Sequence, residues 1–208
     1  MTEQEWLDCT DPQPMLGFLR GKASERKARL FAVACCRGLW HHMAGPLRRV
    51  VEVGERYADG LASPEEAGRA AGLAIGQGGE GDPLSLAAWN TVALCSEPDD
   101  PFHIASDTAT QANAVRDGQS AQCSLLRCIF GNPFRSASLA PAVLAWQGGL
   151  LVSMAQRIYD SRDFSDMPVL ADALEEAGCR DADVLGHCRS GGEHFRGCWL
   201  VDLLLGKS

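Results

Sequence analysis

The stretch ERKARLFAVACCRGLWHHM, residues 25–43, decides the class of fold. Ser24 precedes it as an N-cap, and the run that follows is long enough for a helix of about five turns. From Leu30 to Trp40 its one charged residue is Arg37. A helix with so apolar a circumference must be covered on nearly every side, so the stretch predicts a central helix in a helical core.

The sequence around it follows the same logic. Thr2 with Glu5 forms a capping box that opens a short helix carrying Trp6 and Leu7. PLRRVVEVGERYADG, residues 46–60, places Leu47, Val50, Val51 and Val53 inward and ends at Gly60. Ser63, Pro64 and Glu66 stand at the N-cap, N1 and N3 positions of the next helix. Helical runs continue through 83–95, 102–118 and 119–130, separated by loops at GQGGEGDP (76–83) and SEPDDP (96–101). The remaining helices fall at 140–162, loosened at Gly148 and Gly149, then at 167–178, 181–189 and 194–206. Strand patterning is weak throughout, with no βαβ rhythm and no repeat at a fixed period. The expectation is an all-α fold: one compact multi-helix domain over 1–208, with about nine helices and no significant sheet. The loop at 76–83 is expected to join an N-terminal and a C-terminal helical half.

Composition narrows the function classes. The chain has 208 residues, 46% hydrophobic and 22% charged, and only 7% aromatic. That balance suits close-packed helices better than sheets. The net charge of -8 opposes a phosphate backbone, so nucleic acid is not expected as a partner. The cluster Arg20, Lys22, Arg26, Lys27 and Arg29 reads as a solvated helix face. No run is long and apolar enough for a membrane span, and the first residues do not pattern as a signal peptide. Nine cysteines, an odd number, exclude a fully paired disulfide framework and imply reduced thiols in a cytoplasmic setting.

Chemistry is sparse. The glycines at 76–81 lack the strand and the Lys-Ser/Thr of a phosphate loop. Neighbouring carboxylates such as Glu65 and Glu66 or Glu175 and Glu176 sit where they cap or solvate helices. Cys36 and His41 are five residues apart and share no helical face, so a metal is not expected there. The richest segment is EEAGCRDADVLGHCRSGGEHFRGCWLVDLLLG, residues 175–206. His194 and Cys198 are i,i+4, so a final helix starting by Glu193 would project both from one face. With Cys179 and Cys188 they make a Cys₃His set suited to zinc. The competing reading is that these cysteines are small apolar core side chains, because the set lacks a C-x₂-C knuckle. His187 lies beside Cys188 and would point differently from a helix. Glu193 is the one residue placed to act as a base if the ion were catalytic.

Three blocks carry a family resemblance: residues 1–41, the IFGNPFR at 129–135, and LADALEEAGCRDADVLGHCR with EHFRGCWLVDLLLGK toward the C-terminus. They resemble a helical domain of unknown function multiplied in planctomycete-type bacterial genomes. The resemblance spans Met1 to Lys207, and between Gly60 and Gln122 it rests only on Ala-rich helical character. It implies a bacterial, self-contained helical domain and assigns no activity, cofactor or site residue. Such blocks stand alone or beside other modules, which fits an adaptor better than an enzyme. Cys128 occupies a position where the resemblance implies an acidic residue.

The expected function is a non-catalytic helical interaction module that binds another protein or a peptide, with no cofactor. The alternative is a zinc protein using Cys179, Cys188, His194 and Cys198. Pro133, Phe134 and Arg135 are the candidate interaction surface, a rigid turn presenting an aromatic and a guanidinium. Against it stands a helix corner with Phe134 in the core, the usual fate of Phe.

Overall fold

The structure is a computed structural model and describes residues 1–75, 82–93, 101–115 and 118–207. Among the described residues there is no strand, and regular structure comprises thirteen α-helices and two 3-10 turns. Thirteen replaces the about nine expected, and one of the added pieces, Pro141–Leu144, is split from the run expected over 140–162. Of the two expected loops, residues 76–81 and 96–100 lie outside the described residues. The chain divides into two compact units, Met1–Leu126 and Arg127–Ser208.

In the first unit the short helix α1 (Glu3–Asp8) opens on the expected box: Glu5 N donates to Thr2 Oγ1, and Thr2 N donates to Glu5 Oε2 at 2.7 Å. After α2 (Pro12–Leu19) comes α3 (Glu25–Gly38), the element predicted to be central. Every residue from Leu30 to Cys36 on it is buried. Covering a side chain the size of Leu30 or Phe31 contributes about 1.5–3 kcal/mol, so this run anchors the unit.

The neighbours of α3 are α4 (Gly45–Ala58), α6 (Pro83–Ala93) and α7 (Pro101–Val115), with α5 (Pro64–Ile75) packed on α4 and α6. Helix α3 is shorter than its apolar run. It ends at Gly38, and Trp40–His42 forms a 3-10 turn. Arg37 lies over the Trp40 ring, 4.2 Å from its centre, while reaching Glu55 on α4 at 3.1 Å. Ser63 caps α5 as expected, its Oγ accepting from Glu66 N. In the basic cluster Arg26 pairs with Asp59 and Arg29 with Glu25, which makes it an ion-paired face.

Helix α8 (Gln119–Phe130) contains the division between the units. In the second unit α9 (Pro141–Leu144) and a 3-10 turn at Trp146–Gly148 precede α10 (Leu150–Ser161). The break falls at the predicted glycines, with Gly149 in the left-handed region at φ 87. Helix α10 is the centre of this unit and packs on α9, α11 (Met167–Glu176) and α13 (Trp199–Leu205). Helix α12 (Ala182–Arg189) lies on α11, tied by Arg189 to Asp172 and Glu175. No described helix is long and apolar enough to cross a membrane.

One expectation is corrected. The last helix does not start by Glu193 but at Trp199. Gly197 at φ 92 and a turn in which Cys198 N donates to Phe195 O hold residues 193–198 out of helical conformation. The i,i+4 relation of His194 and Cys198 is therefore not a helical one.

Candidate metal centre

Four side chains of the second unit converge: Cys128, His187, His194 and Cys198. One ligand atom from each lies within 4.8 Å of all the others. Each arrives from a different local structure. Cys128 belongs to the last turn of α8 and is buried. On α12, capped by Asp181 through Asp183 N and Val184 N, the buried positions Val184 and Cys188 are one turn apart. His187, the position just before Cys188, is turned roughly 100° away onto the flank that faces the cluster. His194 sits in the irregular stretch after α12, and Cys198 is the N-cap of α13.

The geometry suits a tetrahedral ion. His187 Nε2 lies 3.1 Å from Cys198 Sγ, and His194 Nδ1 lies 3.8 Å from Cys128 Sγ and 4.0 Å from Cys198 Sγ. Around zinc, with metal–sulfur near 2.3 Å and metal–nitrogen near 2.0 Å, sulfur and nitrogen ligands stand about 3.6 Å apart. The observed separations bracket that distance. The two imidazoles meet edge to face with centres 4.8 Å apart, so they approach the same point from different directions.

The surroundings are apolar and shaped. Phe164 stacks against His194 at 6.1 Å, and Trp199 leans on His187 at 5.1 Å. Gly131 lets that indole in: a Cβ there would lie 3.1 Å from Trp199 Cγ. Burial pushes the Cys198 thiol up, but hydrogen bonding with Cys128, His187 and His194 outweighs it and holds the thiol well below its ordinary range. That is the protonation state a metal ligand needs. His194 presents Nδ1 to the two thiols, so its other ring nitrogen, Nε2, is not the atom an ion held there would meet.

Of the four residues in the sequence-derived set, the structure brings His194 and Cys198 into the cluster and leaves Cys179 and Cys188 outside it. Both are buried in the core of the second unit. Burial, with Cys198 and Cys179 nearby, raises the Cys188 thiol to about 12, which keeps it neutral and apolar. Cys128 and His187 take the two places. Cys128 is not among the sequence-derived candidate ligands because it lies inside an apolar helical run far in sequence from the other members of the cluster. A signal for His187 existed, since assigning Cys188 to the core face leaves its neighbour on the flank. Glu193 is exposed.

The candidate interaction surface is a separate place. Pro133, Phe134 and Arg135 are all exposed, so Phe134 is not a core residue. Its backbone N–H donates to Asn132 Oδ1, and Arg135 reaches Asp183 of its own chain at 3.1 Å. That guanidinium already has a carboxylate.

Comparison with protein-family models, curated proteins and solved structures found no match to this chain. The family resemblance rests on the sequence blocks alone.

Proposed function

We propose that the second unit is a zinc-binding helical module and that the chain acts as a non-catalytic binding protein. Cys128, His187, His194 and Cys198 would hold one zinc ion, with Cys179 and Cys188 as core thiols behind it. The observation that carries this reading is the convergence of two thiols and two imidazoles within 4.8 Å in an apolar setting. Soft thiolates with imidazole select zinc over hard cations. Four protein ligands close the coordination sphere, which is the pattern of structural zinc, because a catalytic ion keeps a position open for water. The ion would tie the end of α8, α12 and the start of α13 together, and its binding free energy would add to folding of the unit.

Partner binding would then be the work of the surface. Exposed Phe134, at 39% of its free area, supports a protein or peptide partner, and the acidic balance argues against nucleic acid. The test is elemental analysis of the full chain purified without chelator or nickel, followed by cobalt substitution. One zinc per chain, and intense ligand-field bands from tetrahedral cobalt with thiolate ligands, are expected. A chain with no stoichiometric metal that also fails to take up cobalt would sink the zinc reading and leave four core side chains in contact.

A further inference from the structure

Two of the four converging groups are thiols, and they come from elements far apart in the chain. Cys128 is in the last turn of α8, and Cys198 caps α13 at the end of an irregular stretch. Their sulfurs lie within 4.8 Å. A disulfide bond is about 2.05 Å long, so joining them needs a movement of less than about 3 Å. Cys198 is the more able to make it, because residues 193–198 are not held in a helix. The imidazoles that complete the cluster, His187 and His194, are half-buried, while the two cysteines are buried.

We infer that the centre is a redox-gated zinc clamp: a hydroperoxide joins Cys128 to Cys198 and expels the ion. This inference rests on the zinc reading above. With zinc bound, the sulfurs are separate ligands held about 3.8 Å apart by tetrahedral geometry. One sulfur attacks the peroxide oxygen, the O–O bond breaks, and the departing oxygen takes a proton and leaves as water or alcohol. The sulfenic acid that forms is attacked by the second sulfur, which makes the S–S bond and releases its hydroxyl, with a second proton, as water. The two sulfurs lose two electrons and the peroxide gains them. Solvent supplies the two protons when the thiols began as zinc-bound thiolates. The ion, left with two imidazoles, dissociates.

The disulfide links the same two places that the ion linked, the end of α8 and the start of α13. Release of metal therefore leaves the second unit tied, and a thiol reductant with zinc restores the first state. The other buried cysteines of the unit, Cys179 and Cys188, lie outside the four-atom group and take no part.

The experiment uses the full wild-type chain loaded with zinc and titrated with hydrogen peroxide. Released zinc is read with a chromogenic chelator, and free thiols are trapped before peptides are mapped by mass spectrometry without reduction. The expected result is zinc release in step with a Cys128–Cys198 linked peptide, reversed by reductant plus zinc. Cys188→Ser should keep both signals, and Cys128→Ser should lose the linked peptide. If zinc leaves with sulfinic acid on single cysteines, or with another pairing, the clamp is wrong although the zinc centre stands. Zinc retention at peroxide levels that oxidise Cys9 has the same meaning. A chain that takes up no zinc removes the centre and the clamp together.

Discussion

His187 Nε2 and Cys198 Sγ lie 3.1 Å apart, eleven residues distant in sequence and on opposite sides of an irregular stretch. The contact joins α12 to the cap of α13 and is the shortest of the separations within the cluster given above. It makes His187 the most informative member of the cluster to remove.

His187→Ala should weaken zinc binding by more than the ~10–100-fold that losing an outer-shell partner costs. Competition against a chromogenic chelator measures this directly. Circular dichroism should show the helices of the first unit unchanged. Affinity equal to wild type would remove His187 from the ligand set.

Gly131 stands at φ 69, with Trp199 against the place where a side chain would begin. Gly131→Ala combines a left-handed backbone with a contact of 3.1 Å to the indole. The expected loss is about 1–3 kcal/mol. Urea unfolding followed by fluorescence reads the shift in midpoint, and the same substitution at Gly17, where no atom lies near, is the control.

The Arg37–Glu55 pair joins α3 to α4, and the Glu55 side chain is only 2% exposed. Removing one partner of a buried pair costs about 3–5 kcal/mol. Arg37→Met should fall near the lower figure, because the Arg37 side chain is partly exposed, although its guanidinium contact with the Trp40 ring is lost as well. A stability within experimental error of wild type would show the pair to be dispensable.

Burial raises the Cys36 thiol to about 12 and that of Cys35 well above its ordinary value of 9.0. Both raised values favour the neutral form in the folded state. Their contribution is therefore complete below pH 9 and is lost as the pH rises from there through about 12. At pH 8 neither thiol should react with an aromatic disulfide reagent in the native chain. Of the described cysteines only Cys9 is not buried, and it should be labelled first. Peptide mapping of the labelled protein decides which thiols have reacted.

Phe134→Ala and Arg135→Ala should each change stability by no more than about 1 kcal/mol, because one removes an exposed ring and the other a surface ion pair. A loss several times larger, in thermal unfolding, would mean that this turn is structural and is not available to a partner.

Much of the fold is legible in the sequence because helices are local. The hydrogen bonds of α3 join residues four apart, and the apolar run from Leu30 to Cys36 announces that every side of it is covered. Thr2 with Glu5 and Ser63 with Glu66 mark helix starts for the same reason, since a cap acts over three residues. The break at Gly148 and Gly149 is local too. The start of α13 was less legible, because an i,i+4 pair of potential ligands resembles a helical face when a turn at Gly197 is what sets their positions.

The Cys/His cluster is another matter. Sequence alone points to a Cys/His-rich C-terminal segment and to the chemistry those side chains share. It does not say which of five cysteines and histidines face inward together, since that depends on how α12 is rotated against α11. The tertiary structure turns Cys188 into the core and His187 out of it, and brings Cys128 to the cluster from α8. Ligand selection is a property of packing: adjacent positions on a helix differ by roughly 100°, and only the burial of the apolar side settles which of them meets the other ligands.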